Sequence, residues 1–288
     1  MKTKDILITD NDFFSSSLND EILVLRHKQH ILSLTQDLND IFSLYDYMDS
    51  ILRSKSFKAF VMLAYSEQSA RLEYTRFLAK ILSANPNSVE LLRFFNVVNR
   101  FIVTLSTLNC VTVFAGQGTI STFYLNIGLT HDYRIVADET VFENFNVDIG
   151  LVTKGSGYFL PRLLGIRKAA EVLQWESFSA EDALQVGLVD RIVPASQLEQ
   201  ETMQFIRKAL VHSSSTLLGI RKLIKCDIEE LKHSLDLEDH LIKERLNSVE
   251  FREMFAAHKS SSQRLPRQLH DKEGRSGSRN AARKNTTG

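Results

Sequence analysis

Four short β-prone runs, Phe57 to Ala64, Cys110 to Ala115, Asp132 to Ala137 and Leu188 to Val193, are separated by stretches with the 3.6-residue apolar spacing of amphipathic helices. That alternation predicts a mixed α/β core. Asp37 to Ser54 places Leu38, Ile41, Phe42, Tyr45, Met48, Ile51 and Leu52 on one helical stripe. Glu67 to Ala84 reads as a second helix, and Asn85-Pro86-Asn87 breaks it. Ser88 then caps a longer helix carrying Leu91, Leu92, Phe95, Val98, Phe101, Ile102 and Leu105. Upstream, Ile22 to Leu25 and Ile31 to Leu34 flank the polar Arg26 to His30, a pattern that suits a hairpin. Beyond Lys154 strands become scarce, and Leu198 to Leu210, Leu217 to Ile224 and Ile228 to Leu246 each carry an apolar stripe. Helices gathered in this way form a separate layer or an oligomer interface.

The 288 residues include 35 basic and 35 acidic side chains, so no net charge draws the whole chain to nucleic acid or to an anionic membrane. No apolar run reaches the roughly 18 residues that a membrane span needs. The N-terminus, Met1 to Asp12, mixes both charge signs and lacks the layout of a secretory signal. The two cysteines, Cys110 and Cys226, stand far apart with no CxxC, which argues against a disulfide framework or a zinc site. The expectation is a cytoplasmic protein with neither a membrane nor a nucleic-acid partner. Lys259 to Gly288 carries eight basic residues against two acidic ones and almost no large apolar group, so it reads as a disordered basic tail.

Gly116-Gln-Gly118-Thr-Ile-Ser121 half-matches a dinucleotide fingerprint, but Ser121 stands at the third glycine. There is no HExxH helix and no GxSxG elbow. The informative block runs from Asn109 to Pro194, and its most specific part, Gly165 to Pro194, ends in Ser179 to Pro194, SAEDALQVGLVDRIVP. Its local physics is a helix capped by Ser179, with Asp182 at the capping-box position, ended by Gly187 and returning as a strand. Together with the glycine turn at 116–118 and Asp132 to Asp138, this segment resembles the crotonase superfamily, also called the enoyl-CoA hydratase/isomerase family. The resemblance extends over most of the chain except the tail.

The resemblance implies an α/β fold, a spiral of strand-strand-helix repeats over residues 1–195, with a C-terminal helical oligomerisation region at 196–258 and the tail at 259–288. It also implies an acyl-CoA thioester as ligand, coenzyme A being part of the substrate rather than a separate cofactor, and a homotrimer or hexamer. In the family two backbone N–H groups stabilise the enolate oxygen. The first falls at Ala64 or Tyr65, in Ala64-Tyr-Ser-Glu-Gln-Ser-Ala70, where the usual glycine is missing. The second falls in a glycine triplet that corresponds here to Thr122, Phe123 and Tyr124, and Phe123 is the expected donor. The positions of the two glutamates that many hydratases use fall on Asn126 and Asn146. An amide cannot take a proton at neutral pH, so two-glutamate hydration is not expected.

Asn126, Asn146 and Asp148 are the expected lining of the reacting end. Asp148, or Glu143, would enter the pocket in a rebuilt turn, or else remain solvated. Lys154 either meets a coenzyme A phosphate, pairs with Asp148, or is an ordinary exposed loop lysine. His131 reads as a core histidine, and Ser121 and Thr122 as capping groups. Two functions follow from the resemblance. One is a divergent family protein that binds an acyl-CoA thioester and, if active, does enolate-stabilising chemistry of lyase or isomerase type. The other is a catalytically inactive crotonase-fold protein acting as a binding or partner subunit.

Overall fold

The structure, a computed structural model, describes residues 7–28, 38–65, 70–84, 89–210, 214–224 and 227–262. The chain opens with β1 (Thr9–Asp10), β2 (Phe14–Asn19) and β3 (Ile22–His27), followed by helix α1 (Leu38–Arg53). Next come β4 (Ala59–Tyr65), α2 (Ala70–Ala84) and α3 (Val89–Thr107), then β5 (Val111–Gln117), β6 (Thr119–Ser121) and α4 (Thr122–Gly128). A third unit has β7 (Tyr133–Ala137), β8 (Val141–Glu143) and the short α5 (Phe145–Ile149). Two helices, α6 (Phe159–Leu164) and α7 (Ile166–Val172), precede β9 (Ser177–Ser179), α8 (Ala180–Val186) and β10 (Arg191–Val193). Four helices complete the described chain: α9 (Leu198–Leu210), α10 (Ser214–Ile224), α11 (Ile228–Asn247) and α12 (Val249–Ser262).

The strands form two sheets. Seven strands run in the order β1-β2-β3-β4-β5-β7-β10, and β6-β8-β9 make a smaller second sheet. In β5-β6-α4 and again in β7-β8-α5, the chain leaves one strand in each sheet and then turns into a helix. This is the expected strand-strand-helix spiral. From β3 to β10 the large sheet is parallel. Its strands read as near-continuous apolar runs because both faces are covered. One face carries Leu23, Leu25, Phe60, Met62, Phe114 and Val136 toward the helices of the spiral. The other carries Ile22, Val24, Val61, Val113 and Ile135 toward Leu198, Met203 and Ile206 of α9.

The segment Ser179 to Pro194 folds as its local signals direct. The Ser179 side chain accepts from the Asp182 N–H, Asp182 closes the capping box, and Gly187 ends α8 at φ +83°. Arg134 then locks β10 beside β7: its side chain donates to the Leu188 carbonyl at 2.7 Å and pairs with Asp190 at 2.8 Å.

Three expectations are corrected. The hairpin is β2 with β3, not 22–25 with 31–34; β3 already has β2 on one edge and β4 on the other. Residues 31–34 lie outside the described residues. The serines of β2 hide it from apolar patterning, yet Ser16 points inward and is satisfied, donating to the Leu7 carbonyl at 2.6 Å. Helical structure also runs to Ser262, past the expected boundary at 258, while 263–288 lie outside the described residues. Finally, the last strand is only Arg191–Val193, because Leu188 and Val189 still bond back to Ala183 at the end of α8.

The β2–β3 turn is Asp20-Glu21, with φ +47° and +63°. A two-residue turn with both φ positive favours glycine at its second position, and a side chain with a Cβ is strained there. Glu21→Gly should therefore raise the unfolding free energy by about 1 kcal/mol in urea titration, the exposed Glu21–Lys58 pair contributing little against it.

Candidate functional site

The expected site residues are spread over four parts of the chain: Ala64 and Tyr65 end β4, Phe123 and Asn126 stand on α4, Asn146 and Asp148 on α5, and Lys154 in the loop between α5 and α6. Ala64 and Tyr65 are the last residues of β4, in register with Gly116 and Gln117 of β5. On the other edge, the β3–β4 ladder stops at Arg26 and Leu63. Successive N–H groups of a strand point to opposite sides, so one of the two, Ala64 or Tyr65, faces the side where β3 pairing has ended. Residues 66–69 of the same segment lie outside the described residues.

Phe123 and Tyr124 stand in the first turn of α4, both buried, and the Ser121 hydroxyl caps that turn by accepting from the Tyr124 N–H. Phe123 packs toward Phe94, with ring centroids 6.0 Å apart, and shares a small void with Tyr74, Phe77, Leu91 and Lys154. At about 20 Å³ that void holds about one water molecule. The bulky side chains at the triplet position thus fill the interior beside them.

The two amides are pinned in opposite senses. The Asn126 side-chain N–H₂ donates to the Thr153 hydroxyl at 3.0 Å and to the Lys154 carbonyl at 2.9 Å. Its neighbours therefore call for a donor, which a carboxylate is not. The Asn146 carbonyl instead accepts from the Tyr74 hydroxyl of α2. Burial pushes the Tyr74 phenol well above its ordinary value, so it stays a donor. Tyr74 escaped sequence reasoning because a tyrosine on an apolar helical stripe looks like core.

Asp148 does not join Asn146. Two residues apart on α5 they face different ways, and Asp148 is half-buried while Asn146 is buried. Glu143 is likewise half-buried at the end of β8. The reading of Lys154 as an exposed lysine is overturned: it is 4% exposed. It does not pair with Asp148, and its ammonium is taken up by α11 rather than presented to a phosphate. Its Nζ lies 2.6 Å from Asp239 and 3.6 Å from Glu238 and donates to the Leu235 carbonyl at 3.0 Å. Glu238 in turn accepts from the N–H groups of Gly155 and Gly157, each at 2.7 Å. Asn99 of α3 donates to the second oxygen of Asp239 at 2.7 Å. Burial raises both carboxyls above their ordinary values, and the lysine works against it.

His131 is indeed in the core, its ring between Phe60 and Phe114. The Thr130 hydroxyl gives its proton to the Ile127 carbonyl, so the bond between Thr130 and His131 must be donated by Nδ1–H. A second buried imidazole went unnoticed in the sequence. His27, at the end of β3, is 6% exposed, edge-on to Phe101 and Tyr124 with ring centroids 6.1 and 5.7 Å away. Neither ring nitrogen has a hydrogen-bond partner among the described residues. The signal that marks it is alternation: Leu23, Leu25 and His27 share the buried phase of β3.

A cleft of about 500 Å³ opens at the other end of α4, lined in part by His131, Asp132, Arg134, Arg162 and Arg221. Its guanidinium groups are engaged by Asp190, Glu230 and Asp132. Among the described residues no three His, Cys, Asp or Glu side chains are placed to hold a metal ion.

Residues 94–263, more than half of the chain, match the family model described as enoyl-CoA hydratase/isomerase. The chain belongs to the enoyl-CoA hydratase/isomerase family. Its fold is similar to that of enoyl-CoA hydratase from Bacillus halodurans, with a TM-score of 0.73, 24% identity and coverage of 85% of this chain and 99% of that one. An enoyl-CoA hydratase/isomerase from Pseudoalteromonas atlantica T6c superposes with a TM-score of 0.64 at 20% identity, covering 86% and 97%. A trans-2-decenoyl-[acyl-carrier-protein] isomerase of Streptococcus mutans serotype c is 28% identical over 137 residues. That alignment takes in 47% of this chain, which spans about half (52%) of the relative's length.

Two outcomes follow for this enoyl-CoA hydratase/isomerase family member. Lys154→Ala leaves two buried carboxylates without their cation and should cost about 3 to 5 kcal/mol in urea titration, part of it regained when Glu238→Gln and Asp239→Asn are added. Burial pushes His27 down to about 4 and His131 down to about 3. Both values lie below the unfolded value of about 6.5, so the stability these rings carry is full above that pH and falls as acid protonates the unfolded chain. His27→Phe removes one of the two protons, and the slope of unfolding free energy against pH between about 5 and 6 should fall by about 1.4 kcal/mol per pH unit.

Proposed function

We propose that this chain binds an acyl thioester of the coenzyme A type at the carboxy-terminal ends of β4 and β5, and stabilises its enolate form without hydrating a double bond. The observation that carries this reading is the pair of pinned amides, Asn126 as donor and Asn146 as acceptor, at the positions that the sequence resemblance assigns to the acid and base of the family's hydratases. Syn addition of water needs a group that takes a proton and one that gives it, and neither amide does so near neutrality. Enolate stabilisation needs only donors aimed at the oxygen. The N–H of Ala64 or Tyr65 at the open end of the β3–β4 ladder is the first such donor, and that of Phe123 the second. The isomerase among the relatives supports the view that thioester chemistry other than hydration belongs on this fold.

A second reading, a crotonase-fold binding or partner subunit without turnover, is favoured by one observation: the void that Phe123 shares with Tyr74, Phe77 and Phe94 holds only about 20 Å³. In either case the assembly proposed is a trimer or hexamer held by the C-terminal helices. Ile220, Leu223 and Ile224 of α10 and Leu163 and Ile166 near α6 are exposed apolar groups that such an assembly would cover. No described helix is long and apolar enough to cross a membrane.

The test is thermal unfolding with acetoacetyl-CoA at about 100 times its dissociation constant, which adds about 2.7 kcal/mol and raises the midpoint by roughly 5 to 10 °C. Crotonyl-CoA should stabilise the protein as well, while the absorbance of its double bond stays constant. Loss of that absorbance would show hydration and overturn the reading. An unchanged midpoint with both ligands would favour the partner-subunit reading.

A further inference from the structure

His27 occupies a place where an apolar side chain would pack better. It lies one residue beyond the last β3–β4 rung, Arg26 with Leu63, and on the same face of the sheet as Ala64, the next residue of β4. Phe101 and Tyr124 meet the ring edge-on, and neither nitrogen is bonded within the described residues. A buried polar group without a partner opposes folding, and a phenyl or isobutyl group at this position would remove that penalty. An enclosed donor and acceptor thus stand one residue past the last β3–β4 rung, near the end of β4 at Ala64 and Tyr65, and the described residues supply neither with a partner.

We propose that His27 is a side-chain hydrogen-bond donor to the carbonyl oxygen of the bound acyl thioester, adding to the backbone donors of β4 and α4. This rests on the thioester-binding reading above. The ligand group it recognises is a carbonyl or enolate oxygen, since a neutral imidazole offers one N–H and a thioester offers one strong acceptor. Burial pushes the ring down to about 4, so at neutral pH it donates from the uncharged form and transfers no proton. A neutral imidazole acting as such an electrophile has precedent in triosephosphate isomerase.

The test compares the full-length chain with His27→Phe and His27→Gln, using acetoacetyl-CoA as the probe. For His27→Phe the expected result is a midpoint without ligand equal to or above that of the wild type, affinity weakened about tenfold, and loss of the ultraviolet absorption of the bound enolate. His27→Gln keeps an N–H and should retain most of both. Added acetoacetyl-CoA should also shift one ring-nitrogen resonance of the wild type, identified as His27 by its absence from the His27→Gln spectrum, a reading that does not depend on His27→Phe folding. If wild type binds and enolises the probe and His27→Phe does so equally well, or if the resonance does not move, the role of His27 falls while the thioester reading stands. If wild type does not bind the probe, the thioester reading falls, and the role of His27 with it.

Discussion

Two loop N–H groups and one ammonium converge on the neighbouring carboxylates of Glu238 and Asp239, and the interior face of the site hangs on that convergence. Gly155 and Gly157 donate to Glu238, Lys154 pairs with both acids, and the Lys154 carbonyl accepts from Asn126. The loop that follows α5 is thereby clamped to α11 on one side and to α4 on the other. A β-carbon on Gly157 would come within 2.9 Å of the Glu238 carboxylate, so that glycine permits the approach. Buried charges are costly to desolvate, and the cost is met here only because every partner is present. The C-terminal helices are therefore part of the site's framework rather than an appendage to it.

That clamp also sets the chemistry the site can do. With the Lys154 carbonyl and the Thr153 hydroxyl aimed at position 126, the site asks for a donor there, and asparagine meets the demand. A glutamate would set a carboxylate against a carbonyl oxygen. At position 146 the demand is reversed, and Tyr74 asks for an acceptor. At position 126 the Lys154 carbonyl is matched to a donor, whereas at position 146 the Tyr74 hydroxyl can give its proton to an amide or to a carboxylate alike.

The fold was legible where its determinants are local. Ser179, Asp182 and Gly187 lie within nine residues of one another and specify α8 by capping and a left-handed stop, and α9 spans the predicted Leu198–Leu210. The failures have separate causes. Lys154 looked exposed because Glu238 and Asp239 stand more than eighty residues away, and no local pattern shows that a loop lysine will be enclosed. The β2–β3 hairpin was missed because Phe14 to Asn19 is rich in serine, and Ser16 can be buried because it donates to the Leu7 carbonyl and accepts from the Thr9 N–H. Asp148 was grouped with Asn146 because they are near in sequence; helical geometry turns them apart.

His27 joins these themes, because it obeys the strand's alternation and violates its chemistry at the same position. Leu23 and Leu25 satisfy the same face with hydrocarbon, and the third inward position of β3 carries a ring whose nitrogens find nothing among the described residues to bond. His131 is the useful contrast: it is equally buried, yet Thr130 orients it through Nδ1 and leaves only Nε2 unpaired, as befits a residue that packs between Phe60 and Phe114. Packing alone accounts for His131. It does not account for His27, where the ladder opens, the next strand offers a main-chain donor to the vacated side, and the aromatic ring of the α4 first turn closes the far wall. Polar groups that the fold leaves unpaid are where a ligand can be bound most selectively, because the ligand supplies the missing partner and the empty protein cannot.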